Sequence, residues 1–230
     1  IHSFNLGSVK LTPRGGLSVR REGGFTRSVF TLTGEGVLRA ELDKLASQIS
    51  IKRLDSSDLR SQRKQLRDEL SLRADYTGFQ ALKPGVDFQQ TIETLQHPRL
   101  GSKQSARQQI NLRVSWSPTR LLQDDLTLSW QQVRSDREET FSLSFKNATV
   151  FTLFEKLSPT LEATGSFIRG RRGGKEVDQF EAELNLEANY PLSEDWNLSF
   201  SAGYLLGLDA KGKAGSYQSF IASLQIAMTF

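Results

Sequence analysis

The sequence predicts an all-β fold of antiparallel strands joined up and down by short connections. Three observations carry this. From Gln179 to Tyr190 the even positions are apolar (Phe180, Ala182, Leu184, Leu186, Ala188, Tyr190) and the odd ones polar (Glu181, Glu183, Asn185, Glu187, Asn189). Two further runs repeat the pattern: Trp196, Leu198, Phe200, Ala202, Tyr204 and Leu206, then Phe220, Ala222, Leu224, Ile226, Met228 and Phe230. A strand sends successive side chains to opposite faces, so a period of two means one apolar and one polar face. The third observation is an exclusion: no apolar run approaches the ~18 residues that a membrane-crossing helix needs.

Composition hides this pattern. The 230 residues are 37% hydrophobic and 24% charged, with a mean hydropathy of −0.42. Averages of that kind suit a water-facing protein, because alternation cancels in the mean. The net charge of +4 is modest, and its signs are interleaved. With no basic stripe carrying stacking aromatics, nucleic acid is not an expected partner. The absence of cysteine excludes disulfides and thiolate metal sites. The chain begins at Ile1 without an initiator Met or a signal peptide, so a processed product is expected, and a C-terminal part of a larger chain is one form of it. Residues 1–230 are expected to form a single domain, since nothing marks a boundary.

Taken in order, Ile1 to Leu11 reads as a strand and Thr12-Pro13-Arg14-Gly15-Gly16 as a turn. Leu17 to Arg21 alternates before Glu22-Gly23-Gly24 interrupts. Phe25 to Thr33 is β-branched and aromatic, and Gly34-Glu35-Gly36 interrupts again. Residues 37–66 support two readings. Leu38, Leu42, Leu45 and Ile49 fall at helical spacing, and Asp55-Ser56-Ser57-Asp58 would cap a second helix. Against that, Ile49, Ile51 and Arg53 alternate with Ser50 and Lys52, and Leu70, Leu72, Ala74 and Tyr76 with Ser71, Arg73 and Asp75. Two strands joined by a long charged loop, Leu54 to Gln65, are preferred to a helical hairpin. Beyond Tyr76 the rhythm is regular. Strands centre on Val86–Ile92, Ile110–Trp116, Leu126–Trp130, Phe141–Phe154 and Leu161–Phe167. Connections fall at Phe79–Gly85, His97–Ser105, Ser117–Asp125, Val133–Glu139, Ser158–Pro159 and Arg169–Val177.

The roughly ten-residue apolar faces ending in aromatics, together with the final Phe230, resemble the Gram-negative outer-membrane β-barrel superfamily. The resemblance implies a closed antiparallel up-and-down transmembrane barrel of about 12 strands, within a range of roughly 10 to 14. It implies that Phe230 is the assembly signal and that the C-terminus is periplasmic. Counting back from that end, Pro191–Asp195, Lys156–Pro159, Ser117–Asp125 and Phe79–Gly85 lie on the periplasmic side. Leu208–Ser216, Arg169–Val177, Val133–Glu139, His97–Ser105 and Leu54–Gln65 lie outside. Trp116, Tyr190, Trp196 and Phe230 then gather at one rim, and Trp130, Tyr204, Phe180 and Phe220 nearer the other, as two aromatic girdles. A soluble antiparallel sandwich would show the same alternation, but with aromatics at strand centres. The expected partners are outer-membrane lipid and lipopolysaccharide, the barrel assembly machinery, and an envelope protein. No cofactor is expected.

The polar face carries Arg67, Glu69, Arg73, Asp75, Arg113, Glu181, Glu183 and Glu187, which are the candidates for lining a lumen. They either bias passage of solutes or fill the interior with satisfied ion pairs. Asp68 falls on the nominally apolar face, which suggests that its stretch projects beyond the bilayer, and Arg169 is expected at the outer rim. Catalytic signals are poor. His97 near Ser102 or Ser105 is the one nucleophile–base arrangement on offer, and a lone loop histidine is ordinarily solvated. Asp124-Asp125 reads as turn sequence. Gly170-Arg171-Arg172-Gly173-Gly174-Lys175 lacks the phosphate-loop context, since Glu176 follows the lysine; on the outer side it would meet lipopolysaccharide phosphates. The chain is therefore expected not to be an enzyme. A channel passing small polar solutes is the leading reading, and an anchor or export component of an envelope assembly is the alternative.

Overall fold

The computed structural model describes residues 3–23, 28–58, 61–99, 101–153, 157–191, 196–209 and 215–228. Among them there are thirteen strands and no helix. They are β1 (Phe4–Leu6), β2 (Val9–Gly23), β3 (Ser28–Leu42), β4 (Leu45–Asp58), β5 (Arg63–Tyr76), β6 (Leu82–His97) and β7 (Gly101–Thr119). Then follow β8 (Leu122–Ser135), β9 (Glu138–Phe151), β10 (Thr160–Arg172), β11 (Lys175–Pro191), β12 (Trp196–Asp209) and β13 (Tyr217–Met228). All belong to one antiparallel up-and-down sheet whose strand order is the chain order. The strand number falls inside the expected range.

The chain divides into two compact units, Ile1–Gly78 with Gly85–Ile110 and Gln131–Thr140, and Phe79–Pro84 with Asn111–Trp130 and Phe141–Phe230. Directly opposed residues of an antiparallel pair share a face, so the register sorts side chains. In the first unit one row across five strands reads Pro13, Leu38, Ile49, Leu72, Phe88, and the adjacent row Thr12, Arg39, Gln48, Arg73, Asp87. In the second unit the corresponding rows are Ala163, Leu184, Tyr204, Phe220 and Thr164, Glu183, Leu205, Ser219. Each unit thus carries one apolar and one polar face.

The ambiguous stretch 37–66 is resolved as strands. Leu42 lies directly opposite Leu45, and the two residues between them, Asp43 and Lys44, make the turn, with Asp43 at φ 43°. Leu38 and Leu42 are even, Leu45 and Ile49 odd, yet all four stand on the apolar face because the hairpin switches parity. Helical spacing arose from a turn, not a helix. The charged segment expected as the loop Leu54–Gln65 is mostly strand, since β4 runs to Asp58 and β5 begins at Arg63. The same holds elsewhere. Arg169–Val177 shrinks to Gly173-Gly174, Ser117–Asp125 to Arg120-Leu121, and Val133–Glu139 to Asp136-Arg137. Backbone ladders do not stop where side chains turn polar, so strands outrun their apolar faces.

Thr12–Gly16 is not a turn but part of β2, and Gly34–Gly36 lies within β3, with Gly15 opposite Gly36. The actual turn is Gly7-Ser8. Pro13 is tolerated because β1 reaches only as far as Leu11 along that edge of β2.

Neither unit has a conventional core. Among the described residues Val29 is the buried hydrophobic side chain, at 9% exposure, and no large side chain is fully buried. Apolar-face residues are open instead: Leu17 is 75% exposed, Phe220 70% and Leu224 66%.

Candidate functional site

The polar face is where charge is concentrated, and it is built differently in the two units. In the first, cations and carboxylates alternate across strands. Glu35, Lys52 and Glu69 stand side by side on β3, β4 and β5. Arg67 and Glu69, two apart on β5 and so on one face, pair at 2.6 Å. Arg73 does the same with Asp75 at 2.6 Å, and its Nε also lies 3.8 Å from Asp87 on β6. Lys10 lies 3.8 Å from Glu41, Arg39 donates to Gln48 at 3.2 Å, and Ser50 bonds Ser71 at 2.6 Å. Four of the expected lumen residues, Arg67, Glu69, Arg73 and Asp75, thus form two ion pairs along one face of β5. Their side chains remain 24–55% exposed, so water reaches them.

The second unit carries Arg113 on β7 and Glu181, Glu183 and Glu187 on β11. Glu183 accepts from Asn185 Nδ2 at 2.7 Å, and Glu187 stands between Thr160 and Ser201. Glu181 is reached from two strands away: Tyr217 Oη on β13 donates to its Oε1 at 3.0 Å. The intervening residue on β12 is Gly207, directly opposite both partners. A Cβ there would collide with the Tyr217 ring, so glycine is what lets the phenol lie across β12. Lys146 and Glu162 face each other at 3.7 Å.

Sequence reasoning missed Arg39, Lys52, Asp87, Glu93, Lys146, Glu162 and Tyr217. A parity count along β3, β6 and β9 would have placed most of them. Tyr217 carried no such signal, because its reach depends on a glycine in another strand.

Trp116, Trp130, Tyr190, Tyr204 and Phe220 share the parity of the apolar face. Tyr204 lies directly opposite Phe220 and donates to Gln218 at 3.3 Å, and Trp130 meets Phe141 edge to face at 6.3 Å. Trp196 opens β12, and Phe230 lies outside the described residues. Asp68 stands directly opposite Arg53 on the apolar face, 3.6 Å from its Nε. Arg169 and Asp178, at 3.9 Å, and Arg134 and Glu139, at 3.6 Å, repeat this arrangement in their own hairpins. In these three pairs a charge on the apolar face meets its opposite across the strands.

The remaining candidates disperse. His97 Nδ1 accepts from the Arg99 N–H at 3.1 Å, while Ser105 lines a separate cavity with Arg67 and Arg107. Asp124 is not in a turn but in β8, where its Oδ1 accepts from Asn147 at 2.8 Å and Thr149 at 2.7 Å. The basic Gly170–Lys175 run is the tip of the β10–β11 hairpin. Gly173 and Gly174, at φ 57° and 80°, make its two-residue turn, a conformation that favours glycine.

No protein-family model and no curated protein sequence matches the chain. Among solved structures it is similar to OmpT, an outer-membrane protein of Vibrio cholerae, with a TM-score of 0.46 and 8% identity over 99% of each chain. It is similar to the NanC porin at 0.38 and 10% identity, covering 94% of this chain and 100% of that one. LpxR from Salmonella typhimurium matches at 0.33 and 9% identity, over 88% and 89%. These neighbours are Gram-negative outer-membrane β-barrels, and no specific family emerges from them. The expectation that this chain is not an enzyme is withdrawn: proteins of different kinds stand among these neighbours, and the likeness reaches the fold alone.

Proposed function

We propose that the chain is a closed outer-membrane β-barrel with its C-terminus in the periplasm, whose polar face lines a water-filled passage for small polar solutes. One observation carries the reading: the large apolar side chains are exposed rather than buried. Leu17, Val19 and Ile51 in the first unit, and Leu184, Phe220, Leu224 and Ile226 in the second, are each 47–75% exposed on the apolar face of their own unit, and the other face of the first unit holds the ion pairs of β5. A soluble chain of this length would bury most of that apolar surface, at about 25 cal/mol per Å². In lipid the inverted arrangement is the stable one, because hydrocarbon solvates the outside and a closed ladder satisfies the backbone. The solvated state of the ion pairs favours a passage over a packed interior. Lipopolysaccharide around the outer rim and the barrel assembly machinery are the partners this reading requires.

The test is conductance across planar bilayers. Discrete current steps from purified, lipid-inserted protein are expected. Insertion without conductance would remove the channel reading, and recovery as a detergent-free soluble monomer would remove the membrane reading itself.

A further inference from the structure

Along β5 the cations of the polar face are matched until its first turn. Arg67 has Glu69 and Arg73 has Asp75, each at 2.6 Å. Arg63, at the start of the strand, has no ion pair among the described residues, and neither have Lys64 and Lys103. These three line one cavity of about 760 Å³ at the end of the first unit where β4 runs into β5, together with His97, Gln65 and Asp58. The carboxylate of Asp58 accepts from Ser61 Oγ at 2.7 Å, and the amide of Gln65 is turned to Glu93 at 2.7 Å. On the polar face Arg63 and Lys103 stand against the one carboxylate of Asp58 and leave the cavity with a net positive charge; Lys64, of the other parity, adds its cation at the rim from the apolar side. Further along the same face, Arg67, Arg73 and Lys10 each have a carboxylate within 3.8 Å.

We infer that this cavity is an anion-binding vestibule, taking a phosphate- or carboxylate-bearing group of more than one negative charge. Arg63 supplies a planar fork that matches two anionic oxygens, and Lys103 supplies a mobile ammonium on the neighbouring wall. A vestibule of one sign with protein walls raises the local concentration of the opposite ion. The inference rests on the channel reading for what the anion is doing there, namely entering. The occupant is a solute or the phosphate of a lipid headgroup, which share this chemistry.

Inorganic pyrophosphate, titrated calorimetrically into the protein in a nonionic, phosphate-free detergent, reads the solute arm without any need for conduction. Co-purification of a phosphomonoester lipid added to the same micelles reads the lipid arm. Salt-sensitive binding in either arm is expected, weakened about tenfold by Arg63→Gln and again by Lys103→Gln, and unchanged by Lys146→Gln, whose cation is already paired. If the protein also conducts, Arg63→Gln with Lys103→Gln shifts the reversal potential in a salt gradient toward cation preference. Binding without conductance would sustain the vestibule and end the channel reading. Conductance with no charge-dependent binding in either arm, or equal loss in the Lys146→Gln control, would overturn the vestibule and leave the channel standing.

Discussion

Replacing Leu184 by Arg asks directly which face meets lipid. Leu184 is 47% exposed near the middle of the 17-residue β11, directly opposite Ala163 and Tyr204. An arginine at the hydrocarbon midplane costs ~2–4 kcal/mol, so the unfolding constant in vesicles should rise by roughly 30-fold or more. Glu183, one residue away, stands opposite Thr164 and Leu205 on the polar face. Glu183→Arg removes its bond from Asn185 and leaves the new guanidinium in water, a loss of about 1 kcal/mol. Leu198 supplies a depth control. It stands on the same apolar face, opposite Tyr190 and Ile226, but near the start of β12. Leu198→Arg should cost only ~0–1 kcal/mol, because the penalty fades toward the interface. Reversible denaturation of vesicle-inserted protein measures all three. A soluble sandwich also penalises Leu184→Arg, so an acyl-chain quencher completes the assay. Labels at 184 should be quenched, and labels at 183 and at Ser199, on the polar face opposite Asn189 and Gln225, should not. Equal penalties at 184 and 198, or quenching at 183 but not 184, would refute the assignment of faces.

Three further outcomes follow from the geometry. Gly207→Val drives a branched side chain into the Tyr217 ring and should destabilise by ~1–3 kcal/mol; adding Tyr217→Ala should recover most of that in a double-mutant cycle. Asp68→Leu leaves Arg53 uncompensated on the outward face and should destabilise by up to about 2–4 kcal/mol, whereas Arg53→Leu with Asp68→Leu should be neutral or stabilising when measured in vesicles. Deleting Phe230, the assembly signal implied by the superfamily resemblance, should lower the heat-modifiable fraction on gels of cell envelopes; undiminished insertion would count against that role.

The last three strands were legible because alternation there is uninterrupted, and β11, β12 and β13 lie where Gln179–Tyr190, Trp196–Leu206 and Phe220–Phe230 placed them, to within a few residues. Legibility fell wherever a turn was too short to announce itself. Asp43-Lys44 carries no glycine or proline, so the parity switch between Leu42 and Leu45 imitated a helix. Conversely, Pro13 with Gly15 and Gly16 imitated a turn inside a strand, because composition cannot report that the pairing of β1 along β2 ends at Leu11. For the polar face, which residues share it was readable from parity. Who pairs with whom was not, since Arg73 with Asp87 and Arg53 with Asp68 depend on a register between strands. Asp68 shows the difference. Alone it looked like a sign that its stretch left the bilayer; opposite Arg53 it is half of a neutral pair.

The identity of chain order and sheet order has a kinetic consequence. Strands β2–β3, β3–β4, β4–β5, β10–β11 and β11–β12 each pair with the next one along the chain, and Asp43-Lys44 and Gly173-Gly174 close β3–β4 and β10–β11 with two residues each. Loop-closure entropy is therefore small at every step, and the contact order is low for an all-β sheet. Each new hairpin docks on an edge that already exists and is itself the edge for the next. Such a ladder can grow two strands at a time, and a hairpin can be inserted or removed without rethreading the remainder. The strand number of this architecture is thus a quantity that a short in-frame duplication can change.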